Sequence, residues 1–227
     1  MSRLVWDQTG ERIYETGVSH GVLYPVDNNG TYSTGVAWNG LTSVSESPEG
    51  ADISDIYADN IKYLSLQAAE TFGATVEAYT YPDEFAVCDG SVELMTGVMA
   101  GQQTRKAFGL CYRTEVGNDV LDTAYGYKLH LIYGCKAQPS EKSYETINDS
   151  PEAIQFSWEI KSTPVNVSNH KATSCLVIDS TKVDSTKLAD LENALYGTDA
   201  SGGNQATQPW LPMPDDVIAI LNGTYTG

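Results

Sequence analysis

Basic residues are scarce in this chain: 13 Lys and Arg stand against 30 Asp and Glu, a formal net charge of -17 over 227 residues. That shortage excludes gripping nucleic acid by charge, because duplex DNA carries about one negative charge per 1.7 Å of its axis. Histidine is scarce too. His20, His130 and His170 sit in unrelated surroundings, and the chain has no Gly-x-Ser-x-Gly elbow, no Gly-rich phosphate loop and no His-Glu-x-x-His helix. No nucleophile or general base is nominated, so the chain is expected not to be an enzyme. His130, on the polar side of a strand-like run, is expected at the surface or at an interface.

Cysteine is limited to Cys88, Cys111, Cys135 and Cys175, far apart and without the close Cys-x-x-Cys pairing that a zinc site needs. Three of them fall in strand-like runs, which predicts reduced thiols packed as small apolar groups. Asp52, Asp55 and Asp59 lack the alternating spacing and terminal glutamate of a calcium loop, so neither metal nor cofactor is expected. No run approaches about 18 apolar residues, and Met1 to Trp6 carries no stretch of signal-peptide length. Synthesis and retention in the cytoplasm without membrane insertion is therefore the expectation. The Asn-x-Ser/Thr matches at Asn29, Asn148, Asn166 and Asn222 are then without glycosylation meaning.

What is plentiful is strand and turn chemistry, with 14 Tyr and 20 Gly but only 19% charged residues. A chain of this length suffices for one domain that buries roughly 70% of its unfolded surface. Tyr127, Leu129, Leu131, Tyr133 and Cys135 alternate with Lys128 and His130, the period of two of a half-buried strand. Ile154, Phe156, Trp158 and Ile160 repeat the pattern, with Gln155, Ser157, Glu159 and Lys161 between them. These runs predict an antiparallel sheet with one wet side. Trp38 and Trp158 fall on apolar faces and read as core.

A turn-rich opening leads to a strand over Gly35 to Val44, then to a long polar arm over Ser45 to Asn60; strand chemistry resumes at Ile61 to Leu66 and at Thr75 to Tyr81. An irregular loop of the arm's length is functional or disordered in most domains. Pro82 to Gly90 reads as a short helix with proline first, acids in its first turn and a stopping glycine. Phe108 to Glu115 pairs with Tyr127 to Cys135 as a hairpin whose loop is Val116 to Gly126, and Thr173 to Ile178 is a further strand. A second helix runs from Asp184 or Ser185 to Gly197 with Leu188, Leu191 and Leu195 as its buried stripe. Residues 1–197 are expected to form the domain and 198–209 a polar linker. Residues 210–227 form a docking segment carrying Trp210, Leu211, Val217, Ile218 and Leu221, its target either its own domain or a neighbouring subunit.

The stretches ERIYETGVSHGVLYP, GVAWNGLTSVSESPEGAD, YTYPDEFAVCDG, RKAFGLCYRTEVGND with GYKLHLIYGCKA, and FSWEIKSTPV together resemble the major tail tube proteins of long-tailed, siphovirus-type bacteriophages. So does the proline-rich end LPMPDDVIAIL. The resemblance follows order and texture over most of the chain. It implies a mainly-β sandwich or barrel with one or two short flanking helices, completed as a barrel by hexameric ring assembly. Rings would stack into a tube that conducts viral DNA without binding it specifically. Implied partners are further copies of the chain, a tape measure protein, a tail terminator and distal tail proteins, in the virion tail after assembly in the host cytoplasm. On this likeness Glu46, Glu49, Asp52, Asp55 and Tyr57 of the arm are expected at the contact between rings. Glu115 and Asp122 are the acids expected near the lumen, where the acid excess would keep DNA from sticking. Plain solubility explains the same charge. A soluble carbohydrate- or cell-surface-binding β-sandwich module of a virion is the alternative function.

Overall fold

Alternating β-branched, aromatic and small residues fold here into fourteen strands, in a computed structural model that describes residues 3–147, 149, 152–200 and 205–225. In chain order these are β1 (Ile13–Pro25), β2 (Val36–Trp38), β3 (Leu41–Glu46), β4 (Glu49–Gly50), β5 (Ile53–Ala58), β6 (Ile61–Gln67), β7 (Glu70–Thr71) and β8 (Gly73–Ala78). After a 3₁₀ turn at Asp83–Val87 come β9 (Val92–Met95), β10 (Val98–Ala100), β11 (Phe108–Asn118), β12 (Asp122–Ala137), β13 (Phe156–Ser162) and β14 (Cys175–Asp179). Two helices close the chain, α1 (Ser185–Tyr196) and α2 (Pro214–Asn222). The fold is mainly β, as the sequence predicts.

One antiparallel sheet has the order β2-β1-β11-β12-β13-β8-β3, with β14 also paired to β12. Its end strands β2 and β3 are joined by the Asn39–Gly40 turn, so the sheet curls until its two ends meet. The interior of the curl is aromatic. Trp158 meets Trp38 and Phe85 edge-on, Trp38 and Phe85 pack tilted, Tyr81 meets Phe85, Phe156 and Trp158 edge-on, and Leu110, Ile132 and Ile160 fill the remainder. A second core lies on the other side of β1, β11, β12 and β14. There Tyr24, Cys111, Leu129, Leu131 and Tyr133 meet Leu188, Leu191 and Leu195 of α1 and Val217 and Ile220 of α2.

These two cores correct the expected wet side. β12 is buried on both faces from Leu129 to Tyr133, because the helices take one face and the curled sheet the other. They also correct the face of Cys135, which lies in the aromatic core while Leu129, Leu131 and Tyr133 lie in the helical one. The phase slips at Gly134, which has a positive φ of 60° beside a register shift in the β11–β12 pairing. Ile154 is exposed, and its strand begins at Phe156.

At Gly134 the strand changes partner. Lys128 to Ile132 pair with β14, whereas Cys135 to Ala137 pair with β13. A Cβ at position 134 would run into the Thr163 carbonyl oxygen, and the residue's φ already lies where side chains are strained. β12 thus forks into a closed part and an open part.

Local chemistry places the rest. Asp184 caps α1 by accepting from the Thr186 and Lys187 backbone N–H groups, and Gly197 ends it with a positive φ, as predicted. The C-terminal segment docks on its own domain: Leu211, Val217 and Ile220 are buried, the Tyr133 hydroxyl donates to the Pro212 carbonyl at 2.9 Å, and the Trp210 N–H to Ala194 at 2.8 Å. Trp210 and Leu221 pack beside that core, and Ile218 faces outward. The linker is tied by a Thr198–Thr207 bridge, while its residues 201–204, like Asn148 and the last two residues of the docking segment, lie outside the described residues.

Three expectations change in extent. The Pro82 to Gly90 helix is a single 3₁₀ turn around buried Phe85. The Gly35 to Val44 strand breaks at the Asn39–Gly40 turn into β2 and β3. The hairpin loop shrinks to 119–121 because β11 and β12 both run on past their apolar stretches. β1 was not expected at all from its turn-rich composition. It accommodates Gly17 and His20 at positive φ through two register shifts against β11.

Replacing Gly134 with Ala adds a Cβ where backbone stands and strains φ, so the variant should lose about 1–3 kcal/mol of folding stability. Chemical denaturation monitored by Trp fluorescence would report this; an unchanged midpoint would remove the fork from its structural role.

Candidate assembly interface

Two surfaces of the protomer are unfinished. The first is the open part of the sheet, with the order β1-β11-β12-β14. β2 covers the outer edge of β1 only at Gly21 to Leu23, so among the described residues Ile13 to Ser19 have no partner strand on that side. Among the described residues the outer edge of β14 pairs with no strand either. Such edges present rows of unpaired N–H and C=O groups, a template for another strand.

The second is the arm. The expected irregular loop is a β-ribbon longer than the polar stretch that suggested it, running from β4 through β5 and β6 to β7. The cross-strand pairs Ser54–Leu66, Ile56–Leu64 and Ala58–Ile61 put Ile56, Ala58, Ile61, Leu64 and Leu66 on one face. Ile61 is 65% exposed, Leu66 55% and Ile56 41%. The other face is mixed: beside exposed Ile53 and Tyr57 it carries Asp55, which pairs with Lys62 at 2.8 Å and accepts from the Ser65 hydroxyl at 2.7 Å. Both hydrogen bonds hold the Asp55 carboxyl below the usual range, the Lys62 one most. An isolated two-stranded ribbon is marginal in water, and an apolar face of this kind marks a contact site.

The ribbon is rooted firmly. Glu46, the last residue of β3, accepts from His130 Nδ1 at 3.2 Å and from the Tyr112 hydroxyl. His130 Nε2 lies 3.0 Å from the Thr114 hydroxyl, and its ring stacks on Tyr112 with centroids 4.6 Å apart. His130 is thus a buried anchor rather than a surface residue, a correction that follows from β3 folding back over this face of β12. The hydrogen bond from His130 lowers the Glu46 carboxyl's pKa most, with Tyr112 adding to it and partial burial opposing. Nearby, Glu49 pairs with Lys161 at 3.1 Å. A second anchor sits at the 3₁₀ turn, where nearly buried Asp89 holds Lys142 at 2.6 Å and Arg105 at 3.2 Å.

The arm residues singled out from sequence therefore divide. Glu46 and Glu49 belong to the root, Asp52 is exposed at the foot, and Asp55 and Tyr57 share the ribbon's mixed face. The apolar stripe was missed because Ile61 to Leu66 looks like a core strand. Its only clue was strand alternation immediately after an Asp59–Asn60 turn.

The two acids expected near the lumen also part. Glu115 accepts from Arg113 Nη2 at 3.2 Å; the guanidinium lies 3.8 Å above the centre of the Tyr127 ring, and the Tyr127 hydroxyl donates to Glu192 of α1 at 2.7 Å. Its carboxylate is therefore paired on the face turned to α1. Asp122, at the exposed hairpin tip, accepts from the Tyr14 hydroxyl.

The four cysteines are free thiols, and burial pushes Cys88, Cys111 and Cys175 up to about 12 and Cys135 further still. They are packing groups, as predicted. No group of three or more His, Cys, Asp or Glu among the described residues could hold a metal ion.

No family model matches the sequence, and no curated protein matches it either. Among solved structures the chain is similar to a chain of the anti-feeding prophage baseplate, 6-fold symmetrised, at 8% identity and a TM-score of 0.38 over 79% of this chain and 100% of that one. It is similar to a chain of the PVC sheath-tube complex of an extracellular contractile injection system, in the extended state, at 12% identity and a TM-score of 0.31, over 70% and 88%. A chain of the PVC sheath/tube terminator gives 12% identity and 0.29 over 78% and 99%.

The sign of the Glu46 effect fixes a pH test. Its folded pKa lies below its unfolded one, so its contribution to stability is present above the ordinary carboxylate range and is lost as pH falls through the folded value. Glu46→Gln should therefore be less stable than the parent at pH 7, and the gap should close under acid conditions. A gap independent of pH in denaturation curves would separate Glu46's ionisation from the anchor.

Proposed function

We propose that the chain is a structural subunit of a bacteriophage-type tail tube, joined edge to edge with copies of itself into closed rings that stack into a hollow cylinder. The observation that carries this reading is the open four-stranded sheet with one uncovered edge on β1 and another on β14. A sheet with two free edges and its own supporting core is completed by pairing each edge with the opposite edge of a neighbour. Repetition of that heterologous contact closes a ring when the rotation permits, and closure abolishes the edges. A hexameric ring is the form implied by the tail-tube resemblance.

The ribbon gives the second direction of growth. Its apolar stripe stands off the protomer and is suited to reach the next ring, which moves the contact from the arm's acids to Ile56, Ile61, Leu64 and Leu66. The charge of -17 fits a conduit: acids on its wall would repel DNA, and with a Debye length of about 8 Å at physiological salt they would act only near contact. Asp122 is the better wall candidate of the two acids, since it is exposed at the hairpin tip with only the Tyr14 hydroxyl among the described residues donating to it, whereas Glu115 is ion-paired with Arg113. In this reading the subunit performs no reaction and meets tape measure, terminator and distal tail proteins in the virion.

Concentrated purified protein examined by negative-stain microscopy should show rings or tubes, and permanent monomers would overturn the proposal. The double variant Ile61→Asp with Leu66→Asp should keep the parent's circular dichroism yet arrest growth at rings. Tubes of parental length from that variant would return the ribbon to a surface ornament.

A further inference from the structure

A groove of about 770 Å³ lies between the root of the ribbon and the chain that leads into β14. Its lining is about half polar: Ala68, Ala69, Phe72 and Ala172 form the apolar part, beside Glu70 and Lys171. Ser174, 5% exposed, lines the same groove, and its buried hydroxyl has no hydrogen-bond partner among the described residues. A buried polar group left in this state costs stability, and a docked chain that supplied a partner to it would recover that cost.

The chain also carries a segment without a seat. Leu4 and Trp6 are each 74% exposed and Val5 is 63% exposed. Arg3 and Asp7 flank these three apolar residues with opposite charges, and the groove offers the reverse pair in Glu70 and Lys171. None of Arg3, Glu70 and Lys171 forms an ion pair among the described residues.

Reach decides which copy's groove is filled. Gly10 is pinned at the tip of the β11–β12 hairpin, its N–H donating to Asp119 at 2.8 Å and its carbonyl accepting from Asn118 at 3.1 Å. From Gly10 to Leu4 the backbone spans at most about 21 Å. The groove lies beside Cys175, which pairs with Ile132, and the run of β12 from Asp122 at the tip to Ile132 is about 33 Å at 3.3 Å per residue. A chain cannot seat its own segment.

We propose that Arg3 to Asp7 of one copy docks in the ribbon-root groove of a second copy, Trp6 and Leu4 against the alanine walls and a backbone or side-chain group on Ser174. This rests on the self-assembly reading and adds to it a contact that needs neither a free sheet edge nor the ribbon's stripe. It joins the hairpin tip of one protomer to the ribbon root of another, a head-to-tail contact.

The test mixes two single variants, Trp6→Cys and Ala172→Cys, under assembling conditions with a mild oxidant. A cross-linked pair mapped by mass spectrometry to peptides containing positions 6 and 172, or 6 and native Cys175, is the expected result; Tyr144→Cys in place of Ala172→Cys should not link. Assembly without that link would overturn the docking while leaving the tube reading intact, and persistent monomers would overturn both. A link within one chain of the double variant at high dilution would also overturn it, since the segment would then reach its own groove. Independently, Leu4→Ser with Trp6→Ser should raise the concentration needed for assembly about tenfold or more with an unchanged melting curve. An unchanged assembly threshold would count equally against the contact.

Discussion

The structure depends on one strand having to serve two sheets. β12 holds β11 along one edge for nearly its whole length, but its other edge is divided at Gly134 between β14 and β13. Only a residue without a side chain allows the Thr163 backbone to approach there, and the turn of phase it introduces sends Tyr133 and Cys135 to different cores. From that fork the curled part is able to bury Trp38, Phe85 and Trp158, while the open part leaves strand edges that its own chain cannot cover. Stability and incompleteness thus have a common origin. The aromatic core holds the chain together, and among the described residues no strand lies beyond β14 or beside the first half of β1, which leaves those edges unpaired.

The polar groups within the fold serve the same division. Glu46 ends β3 at the point where the chain leaves the curl for the ribbon, and its bonds to His130 and Tyr112 tie that exit to the central hairpin. Asp89, with Arg105 and Lys142, does the same for the 3₁₀ turn and the loop after β12. Removing one partner of such a cluster leaves the other desolvated and unpaired, a larger cost than the net value of the bond itself. These acids are structural fasteners, and they reduce the number of carboxylates available to any conduit wall.

Much of this was legible in the sequence where one element faces one environment. The α1 boundaries follow from Asp184 and Gly197, and the buried stripe of Leu188, Leu191 and Leu195 from helical spacing. The pairing of β11 with β12 followed from two neighbouring alternating runs. Legibility failed where an element faces two environments. The period of β12 cannot show that His130 is covered by β3, since that cover comes from residues more than eighty positions away. β1 was hidden because the glycines that make its bulges look like turn signals. The ribbon's second strand, β6, carries the alternation of a half-buried strand, and nothing local distinguishes a stripe buried in its own core from one left for a partner.

That last ambiguity bears on how the proposed assembly would begin. Copies each carrying a formal charge of -17 repel one another at long range, yet salt at physiological strength confines that repulsion to about 8 Å, so it slows encounter without opposing a contact once formed. What would hold copies together in the proposed tube must then be short-ranged and neutral: backbone pairs along β1 and β14, and the apolar stripe of Ile56, Ile61, Leu64 and Leu66. Neither suffices alone, because bare edges are stable only when side chains exclude water from them and a two-stranded ribbon needs a third layer. In the proposed tube a ring would supply the first and a neighbouring ring the second. In the proposed tube, a subunit built this way would stand as a monomer on its two cores and commit to a polymer only when both unfinished surfaces are satisfied together.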